Sequence, residues 1–355
     1  MTLVVRDEED ILETNLRYHL DQGVDFIYAV DHNSSDGTPD ILREFERAGV
    51  LRFLREEDEV HDQGRRVTNL ARLAHAELKA DWVINNDADE FWWPVAGSLK
   101  DVLGAYPDRF GKLLAWRHDF LPRPDSGAPF YEAMIWRRAK SLTPSGTVLE
   151  PKAAHRGGAD VVITPGNHDA LGTLEAAPLL PFIEVLHFPA RSYEQFERKI
   201  RHLGHGYELL TDRDPAVGRD QLKLLELLRA GELRPYFDRW VVPEAELIRG
   251  AAEGLYVKDE RLRRFLSDPP PRARERGESQ QVAELTRRAV AALANIEDAE
   301  RARAEATSQL EAERAAHAHT TAALAESTHT LEVIRSSKLF RWTSAVRKRY
   351  YRLRR

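Results

Sequence analysis

The sequence predicts an α/β fold, a Rossmann-like domain with a mostly parallel sheet, followed by a helical or coiled-coil C-terminal extension. Two observations carry the first part. Short apolar runs alternate with stretches of helical period from the start to about Asp89, and the runs end in polar, turn-forming residues. A third observation carries the extension: beyond residue 265 the composition changes to consecutive prolines, then to Ala, Glu and Arg with apolar residues three and four apart.

Taken in order, Leu3-Val4-Val5 reads as a strand, Asp10 to Gln22 as a helix, Phe26 to Val30 as a strand and Thr38 to Ala48 as a helix. Leu51 to Leu54 reads as a strand, Arg65 to Lys79 as a helix and Trp82-Val83-Ile84 as a strand. Repeated β-α alternation implies right-handed crossovers and helices on both faces of the sheet. Lys112 to Trp116 is a further strand, after which Pro122, Pro124, Gly127 and Pro129 mark a turn-rich loop. Met134-Ile135-Trp136, Val161-Val162-Ile163 and Phe182 to Leu186 are strand candidates in less regular surroundings. Ser192 and Gln195 fit a capping box that opens a helix from Glu194 to His202, and helices follow around Gln221 to Arg229 and Glu244 to Gly254.

These elements divide the chain into a globular domain at 1–265, a proline-rich linker at 266–280, a long helix or coiled coil at 281–335 and a basic aromatic tail at 336–355. Pro269, Pro270 and Pro271 cannot continue a helix. Val282, Leu285, Ala289, Ala292, Ile296 and Ala299 then hold a heptad seam, which weakens where Arg303, Glu313 and His317 take apolar positions. Two readings stay open, a homodimer through 281–335 and a single solvated helix. In the tail, Lys338, Arg341, Arg347, Lys348, Arg349, Arg352, Arg354 and Arg355 are interleaved with Leu339, Phe340, Trp342, Val346, Tyr350 and Tyr351, without an acidic residue. Cations mixed with aromatics suit a peripheral anchor on anionic lipid, with a nucleic-acid contact or a disordered tail as the blander readings.

Composition narrows the function classes. The 355 residues are 42% hydrophobic with a formal charge of -6, which argues against a protein built for nonspecific nucleic-acid binding. With no cysteine, disulfides, thiolate metal sites and a cysteine nucleophile are excluded, so a metal must be held by carboxylate, imidazole or water. The start, with Arg6-Asp7-Glu8-Glu9-Asp10 directly after Leu3-Val4-Val5, does not fit a secretory signal, and no apolar stretch approaches the roughly 20 residues of a membrane span. The expected location is cytoplasmic, with peripheral attachment to the inner face of the plasma membrane left open.

The chemistry is expected where Trp82-Val83-Ile84 runs into Asn85-Asn86-Asp87-Ala88-Asp89-Glu90. Strand ends of an open α/β sheet form its ligand crevice, and side chains two apart on extended backbone share a side, so Asp87 and Asp89 can face one cation. Oxygen ligands suit Mg²⁺ or Mn²⁺, which keep positions open for a diphosphate. A second acidic cluster, Asp31 and Asp36, lies where a strand passes into a helix start. The ends of the first, second and fourth strands should share an edge, bringing Glu8, Asp31, Asp36 and Asp87 together. Taken alone, such residues are more often turn and cap formers. Lys152, His155 and His168 are expected in polar loops that bind phosphate or acceptor, and Phe91, Trp92 and Trp93 stack on a sugar or fill the core.

Several ordered motifs together carry a resemblance. Arg6-Asp7-Glu8-Glu9, Gly23-Val24-Asp25, Asp31-His32-Asn33-Ser34-Ser35-Asp36-Gly37-Thr38, Asp87-Ala88-Asp89-Glu90-Phe91 and His187-Phe188-Pro189-Ala190-Arg191-Ser192 with Lys199 resemble the signatures of family 2-like glycosyltransferases of GT-A fold, in the branch whose Asp-x-Asp is followed by Glu-Phe. The resemblance covers about residues 2 to 205. It implies a nucleotide pocket bordered by Asp31 and Asp36 with Glu8 nearby, Asp87 on the ribose or metal side, Asp89 on the metal, and His187 as a further metal ligand or phosphate contact. Asp7 departs from the usual Asn. The Gln-x-x-Arg-Trp pattern of processive members is not found, which argues against an extruding polysaccharide synthase.

The resemblance implies a hexosyltransferase that moves a sugar from a nucleotide-sugar donor, expected to be UDP-linked, to a glycan or lipid-linked acceptor with inversion, in cell-surface polysaccharide or glycoconjugate synthesis. A catalytic base must deprotonate the acceptor, and Asp119 and Asp169 are the candidates. The rival reading is a catalytically silent scaffold of the same fold, oligomerised by its coiled coil.

Overall fold

The computed structural model describes residues 1–142, 148–172, 175–177, 182–211, 214–215, 217–268 and 279–352. It divides into two compact units, Met1–Leu293 and Ala294–Arg355, with the boundary inside a long helix. The proline-rich stretch 269–278 lies outside the described residues, as do the side chains of Val282, Leu339 and Phe340 and the terminal Arg354 and Arg355.

The first unit begins with the expected alternation: β1 (Thr2–Val5), α1 (Leu12–Asp21), β2 (Ile27–His32), α2 (Thr38–Arg47), β3 (Leu51–Glu56), α3 (Gln63–Leu78) and β4 (Trp82–Asn86). All four strands are parallel, in the order β3-β2-β1-β4. The apolar face of α3, with Val67, Leu70, Ala71 and Ala74, closes over Tyr28 and Val30 of β2 and Val83 of β4. Each buried Val or Leu here contributes about 1.5–3 kcal/mol, so this layer fixes the strand ends against one another.

The rest of the sheet is less regular. β5 (Glu90–Pro94), α4 (Leu99–Ala105), β6 (Lys112–Asp119), the single turn α5 (Phe130–Ala133), β7 (Trp136–Arg138) and β8 (Lys152–Arg156) follow. Met134, expected in a strand, instead closes α5, because Pro129 starts a helical turn there. Next come β9 (Val162–Ile163), a 3-10 turn at Pro165–Asn167, β10 (Ala170–Leu171) and β11 (Ile183–His187). The eight-stranded sheet runs β3-β2-β1-β4-β8-β6-β11-β5, with β8 and β5 antiparallel to their neighbours. Lys152 and His155, expected in loops, therefore lie in the buried strand β8 between β4 and β6. Phe91 and Trp92 are fully buried, and Trp93 stacks on Tyr18, so all three belong to packing and not to a sugar platform.

In flat sheet β4 and β5 would stand four strand spacings apart, roughly 19 Å. Yet the turn Asp87-Ala88-Asp89-Glu90, closed by Glu90 N donating to Asp87 O at 3.0 Å, joins their ends directly. The sheet consequently curls, which brings the ends of β4, β6 and β11 and the start of β5 together as one rim. Buried amides brace the turn from beneath: Asn86 Nδ2 donates to Asn15 Oδ1 at 3.1 Å, and Asn15 Nδ2 donates to Glu90 O at 2.6 Å.

The helices α6 (Tyr193–Leu209), α7 (Arg219–Arg229), α8 (Leu233–Asp238) and α9 (Glu244–Ala252), then β12 (Tyr256–Lys258) and α10 (Arg261–Ser267), complete the wrapping. Phe196 and Ile200 of α6 pack on Leu233 and Phe237 of α8, which holds the opposite face of α6 toward the rim. Arg261 ties the end of this segment down, pairing with Glu184 of β11 at 2.6 Å and with Asp259 at 2.7 Å. The long helix α11 (Ser279–Ser336) and α12 (Lys338–Arg352) follow. Thr286 and Val290 of α11 are buried in the first unit, whereas Leu285 and Ile296 of the seam are exposed, as are Leu310, Leu324, Leu331 and Ile334, which continue the three-and-four spacing. No helix among the described residues is long and apolar enough to cross a membrane.

Candidate active site

Register assembles the centre of the site. On the parallel pair β6 and β11, Asp119 stands opposite His187, and on the antiparallel pair β11 and β5, His187 stands opposite Glu90. Three ionisable residues from distant parts of the chain thus form a row across the rim. Asp89, one residue before Glu90, reaches the same row with its Oδ2 at 3.5 Å from His187 Nε2, while His187 Nδ1 bonds Asp119 Oδ1 at 2.7 Å. Burial opposes charge on the imidazole, but the Asp89 and Asp119 carboxylates outweigh it and push the His187 pKa up to about 9. Asp119 also sets the tilt of the ring, as a carboxylate behind a ligand histidine does, and a metal at Nε2 would have to displace the proton there.

Helix α6 supplies the opposing charges. Ser192 accepts from Gln195 N at 3.1 Å, as expected of an N-cap, but Gln195 Oε1 accepts from Arg191 N and not from Ser192 N, so the box is only half formed. Two turns on, Lys199 Nζ stands 2.5 Å from Asp89 Oδ2 and 3.4 Å from Glu8 Oε1. Arg191, just before the cap, pairs closely with Glu8 and with Asp10 at 2.6 Å. Burial raises the Asp89 carboxyl, yet Lys199 and then His187 hold it well below the usual carboxylate range. For Glu8 burial prevails over Arg191 and Lys199, and its pKa is raised.

Asp87 occupies a separate subsite. Its Oδ1 accepts from Gln63 Nε2 at 2.7 Å and Asn167 Nδ2 at 3.1 Å, and its Oδ2 pairs with Lys152 Nζ at 2.8 Å. Asp87 and Asp89, expected to face one cation, have different partners here: Asp87 has Gln63, Asn167 and Lys152, and Asp89 has Lys199 and His187. Glu90 itself is fully buried, with Lys152 Nζ at 2.8 Å and Arg117 Nη1 at 3.9 Å, and burial raises its pKa.

The remaining sequence candidates separate along the rim. Asp31 is wholly buried, paired with Arg55 at 3.1 Å and accepting from Ser34 N at 3.1 Å. Asp36, one residue before the Gly37 N-cap of α2, accepts from Thr38 N at 2.9 Å and from Glu9 N at 3.2 Å. Both carboxylates build the loops around the first two strand ends. Asp7, at φ 54° in a region that Asp tolerates, accepts from Ser35 N at 2.7 Å and pairs with His202 of α6 at 2.9 Å. Asp169 stands apart: it pairs at 2.6 Å with Lys112, which begins the strand that Asp119 ends. His168 bonds Pro151 O at 3.0 Å, and burial lowers its pKa to about 4.

The donor set suits a hard cation in kind: Asp89 and Glu8 offer carboxylate oxygens and His187 an imidazole nitrogen. Among the described residues no cluster of three or more such groups stands ready-made for a metal. The ammonium of Lys199 lies between the two carboxylates instead. Sequence reasoning named Lys199 and Arg191 only within a motif, and missed Arg117, Gln63 and Asn167 as members of the site. The signal for Lys199 is its place in that motif, seven residues after the helix cap Ser192.

No family model matches the chain, and no curated protein sequence matches it. Among solved structures, the chain is similar to the mannosyltransferase PcManGT from Pyrobaculum calidifontis in complex with GDP-Man and Mn²⁺, at 19% identity over 84% of this chain and 86% of that one, with a TM-score of 0.33. It is similar to S. aureus TarS 1-349 in complex with UDP-GlcNAc at 12% identity, over 66% of this chain and 88% of that one, with a TM-score of 0.35. A third similar structure, a putative glucose-1-phosphate thymidylyltransferase from Bacillus anthracis in complex with a sucrose, is 7% identical over 61% of this chain and 77% of that one, with a TM-score of 0.26.

Proposed function

We propose that the chain is a metal-dependent glycosyltransferase of GT-A type, which moves a sugar from a nucleotide donor, expected to be UDP-linked, to a glycan or lipid-linked acceptor with inversion. The observation that carries this reading is Asp89: a carboxylate enclosed at the convergent strand ends, with Lys199, His187 and Glu8 gathered on it. Asp89, Glu8 and His187 would hold Mn²⁺ or Mg²⁺, which when bound neutralises the leaving diphosphate as a Lewis acid. Lys199 and Arg191 supply cations for phosphate oxygens at the same rim. Asp87, held by Gln63, Asn167 and Lys152, is a fixed acceptor for a ribose or sugar hydroxyl.

Asp119 is assigned a positioning role. His187 and Arg117 hold its pKa low against burial, which makes it a weak base and a good orienter of the imidazole. Asp169, engaged by Lys112, is left out of the reaction. We read helix α12 as a contact with anionic membrane that carries the acceptor, the seam of α11 as a homodimer contact, and the pathway as assembly of cell-surface polysaccharide or glycoconjugate on the cytoplasmic side. One observation favours the rival scaffold reading: Asp89 and Asp87 already have cationic partners within the protein. A panel of nucleotide sugars screened for Mn²⁺-dependent binding tests the choice. The enzyme should bind at least one donor and lose it in Asp89→Asn, whereas a scaffold binds none.

A further inference from the structure

We propose that Lys199 is an internal counter-cation, filling the metal position beside Asp89 until a diphosphate arrives, so that metal alone is refused and metal and nucleotide enter together. The inference rests on the reading of the rim as a nucleotide-sugar pocket and adds the order in which that pocket fills. Its basis is geometric. The Lys199 ammonium is within 2.5 Å of Asp89 Oδ2 and 3.4 Å of Glu8 Oε1, which are the oxygens a divalent ion would need.

Among the neighbouring cations, Lys199 is the one free to leave. Its side chain is 27% exposed and carried on a four-carbon stem, while Asp89 at 2% is enclosed. Lys152 is 2% exposed and pinned between Asp87 and Glu90. Arg191 is fixed by Glu8, Asp10 and the Phe188 carbonyl. A dication entering alone would face this ammonium at contact distance, a like-charge repulsion that the enclosed rim screens poorly. A diphosphate changes the balance, because its oxygens accept the ammonium and offer ligands to the metal at once. Lys199 then exchanges a carboxylate for a phosphate partner, and the two ligands become thermodynamically coupled.

The test measures Mn²⁺ binding to the full chain by electron paramagnetic resonance, with no nucleotide and then with UDP or GDP. Lys199→Gln should bind Mn²⁺ alone about tenfold or more tighter than the parent, since the repelling charge is gone. Lys199→Arg, which keeps the charge, should stay with the parent. In the parent, a nucleoside diphosphate should raise Mn²⁺ affinity about tenfold or more, and most of that gain should vanish in Lys199→Gln. Equal Mn²⁺ affinity of parent and Lys199→Gln in the absence of nucleotide overturns the inference. Should Lys199→Gln fail to fold, the parent alone decides, because tight nucleotide-free Mn²⁺ binding would already contradict an ammonium guarding the position. If neither UDP nor GDP binds the parent, the donor reading fails, while the metal-only comparison still judges Lys199.

Discussion

The rim of the sheet and the terminal helix α12 are both rich in charge and use it in opposite ways. At the rim every cation faces a carboxylate: Lys199 meets Asp89, Lys152 meets Asp87, Arg191 meets Glu8 and His187 meets Asp119. In α12 the cations Lys338, Arg341, Arg347, Lys348 and Arg349 are exposed, with no acidic residue between Lys338 and Arg352. At about 100° per residue, Trp342, Val346 and Tyr350 fall within roughly 80° of each other on the same helix, and they are 69%, 51% and 54% exposed. Buried charge has to be balanced inside the protein, because an unpaired ion there costs several kcal/mol, whereas water supports the exposed cations of α12. On the proposed reading the rim exchanges partners, and α12 gains them from an anionic surface.

The sharpest way to break the rim is Asp89→Asn, which keeps the shape and removes the charge shared by Lys199 and His187. Glycosyl transfer should fall by about a thousandfold, since the group that would hold the metal at the developing diphosphate charge is lost. A variant that transfers sugar at parental rate, without metal, defeats the reading. The next effect belongs to α12. Reversing Arg347, Lys348 and Arg349 to Glu removes at least about 3 kcal/mol of attraction to anionic lipid, at about 1 kcal/mol per cation. Sedimentation with phosphatidylglycerol vesicles should drop more than about a hundredfold, with UDP binding unchanged. Parental binding by the triple variant would mean that the basic face is not the contact.

How much of this contrast is legible in the sequence depends on whether the signal is periodic. The strands β1 to β4 and the turn after them follow from apolar runs and turn residues, and α12 shows its character because exposed residues keep their pattern. The row Asp119, His187 and Glu90 has no local signal, since register between strands far apart in the chain creates it. Strand β8 is hidden for a related reason. Lys152 and His155 make it look like a loop, and only the carboxylates Asp87 and Glu90 of other segments make a buried lysine tolerable there. The partners of Asp89 depend likewise on which face of α6 turns inward. Phe196 and Ile200 decide that by packing on α8.

A smaller effect distinguishes the rim from a second, partly buried network beside it, built on β6, β7 and β11. The His118 hydrogen bond, with Arg261, holds Glu184 down to about 2, and Arg261 with Arg137 outweighs burial to hold Asp259 at about 2. Both pKa values are depressed in the folded state, so their stabilisation is present above the unfolded values near 4.5 and 3.8 and is lost as pH falls toward 2. Allowing for the partial exposure of Glu184, about 3 kcal/mol should go. Urea melts at pH 7, 4.5 and 3 should record the decline, and Arg261→Met should flatten it. A slope that survives the loss of Arg261 would place the acid sensitivity elsewhere.

The least change expected in stability comes from the cap of α6, and it joins the two halves of the rim argument. Ser192→Ala removes the acceptor for Gln195 N and should cost about 1 kcal/mol. The helix will not unfold, because Phe196 and Ile200 remain packed on Leu233 and Phe237. What loosens is the first turn, which links Arg191 to the turn carrying Lys199, and with it the distances to Glu8 and Asp89. If Lys199 guards the metal position through a fixed helix, Ser192→Ala should weaken the coupling between Mn²⁺ and UDP more than it weakens either ligand alone. Calorimetric titration of each ligand with and without the other measures that difference. A variant that loses 1 kcal/mol of stability and keeps the parental coupling would show that the ammonium holds its place by its carboxylate partners, without help from the cap.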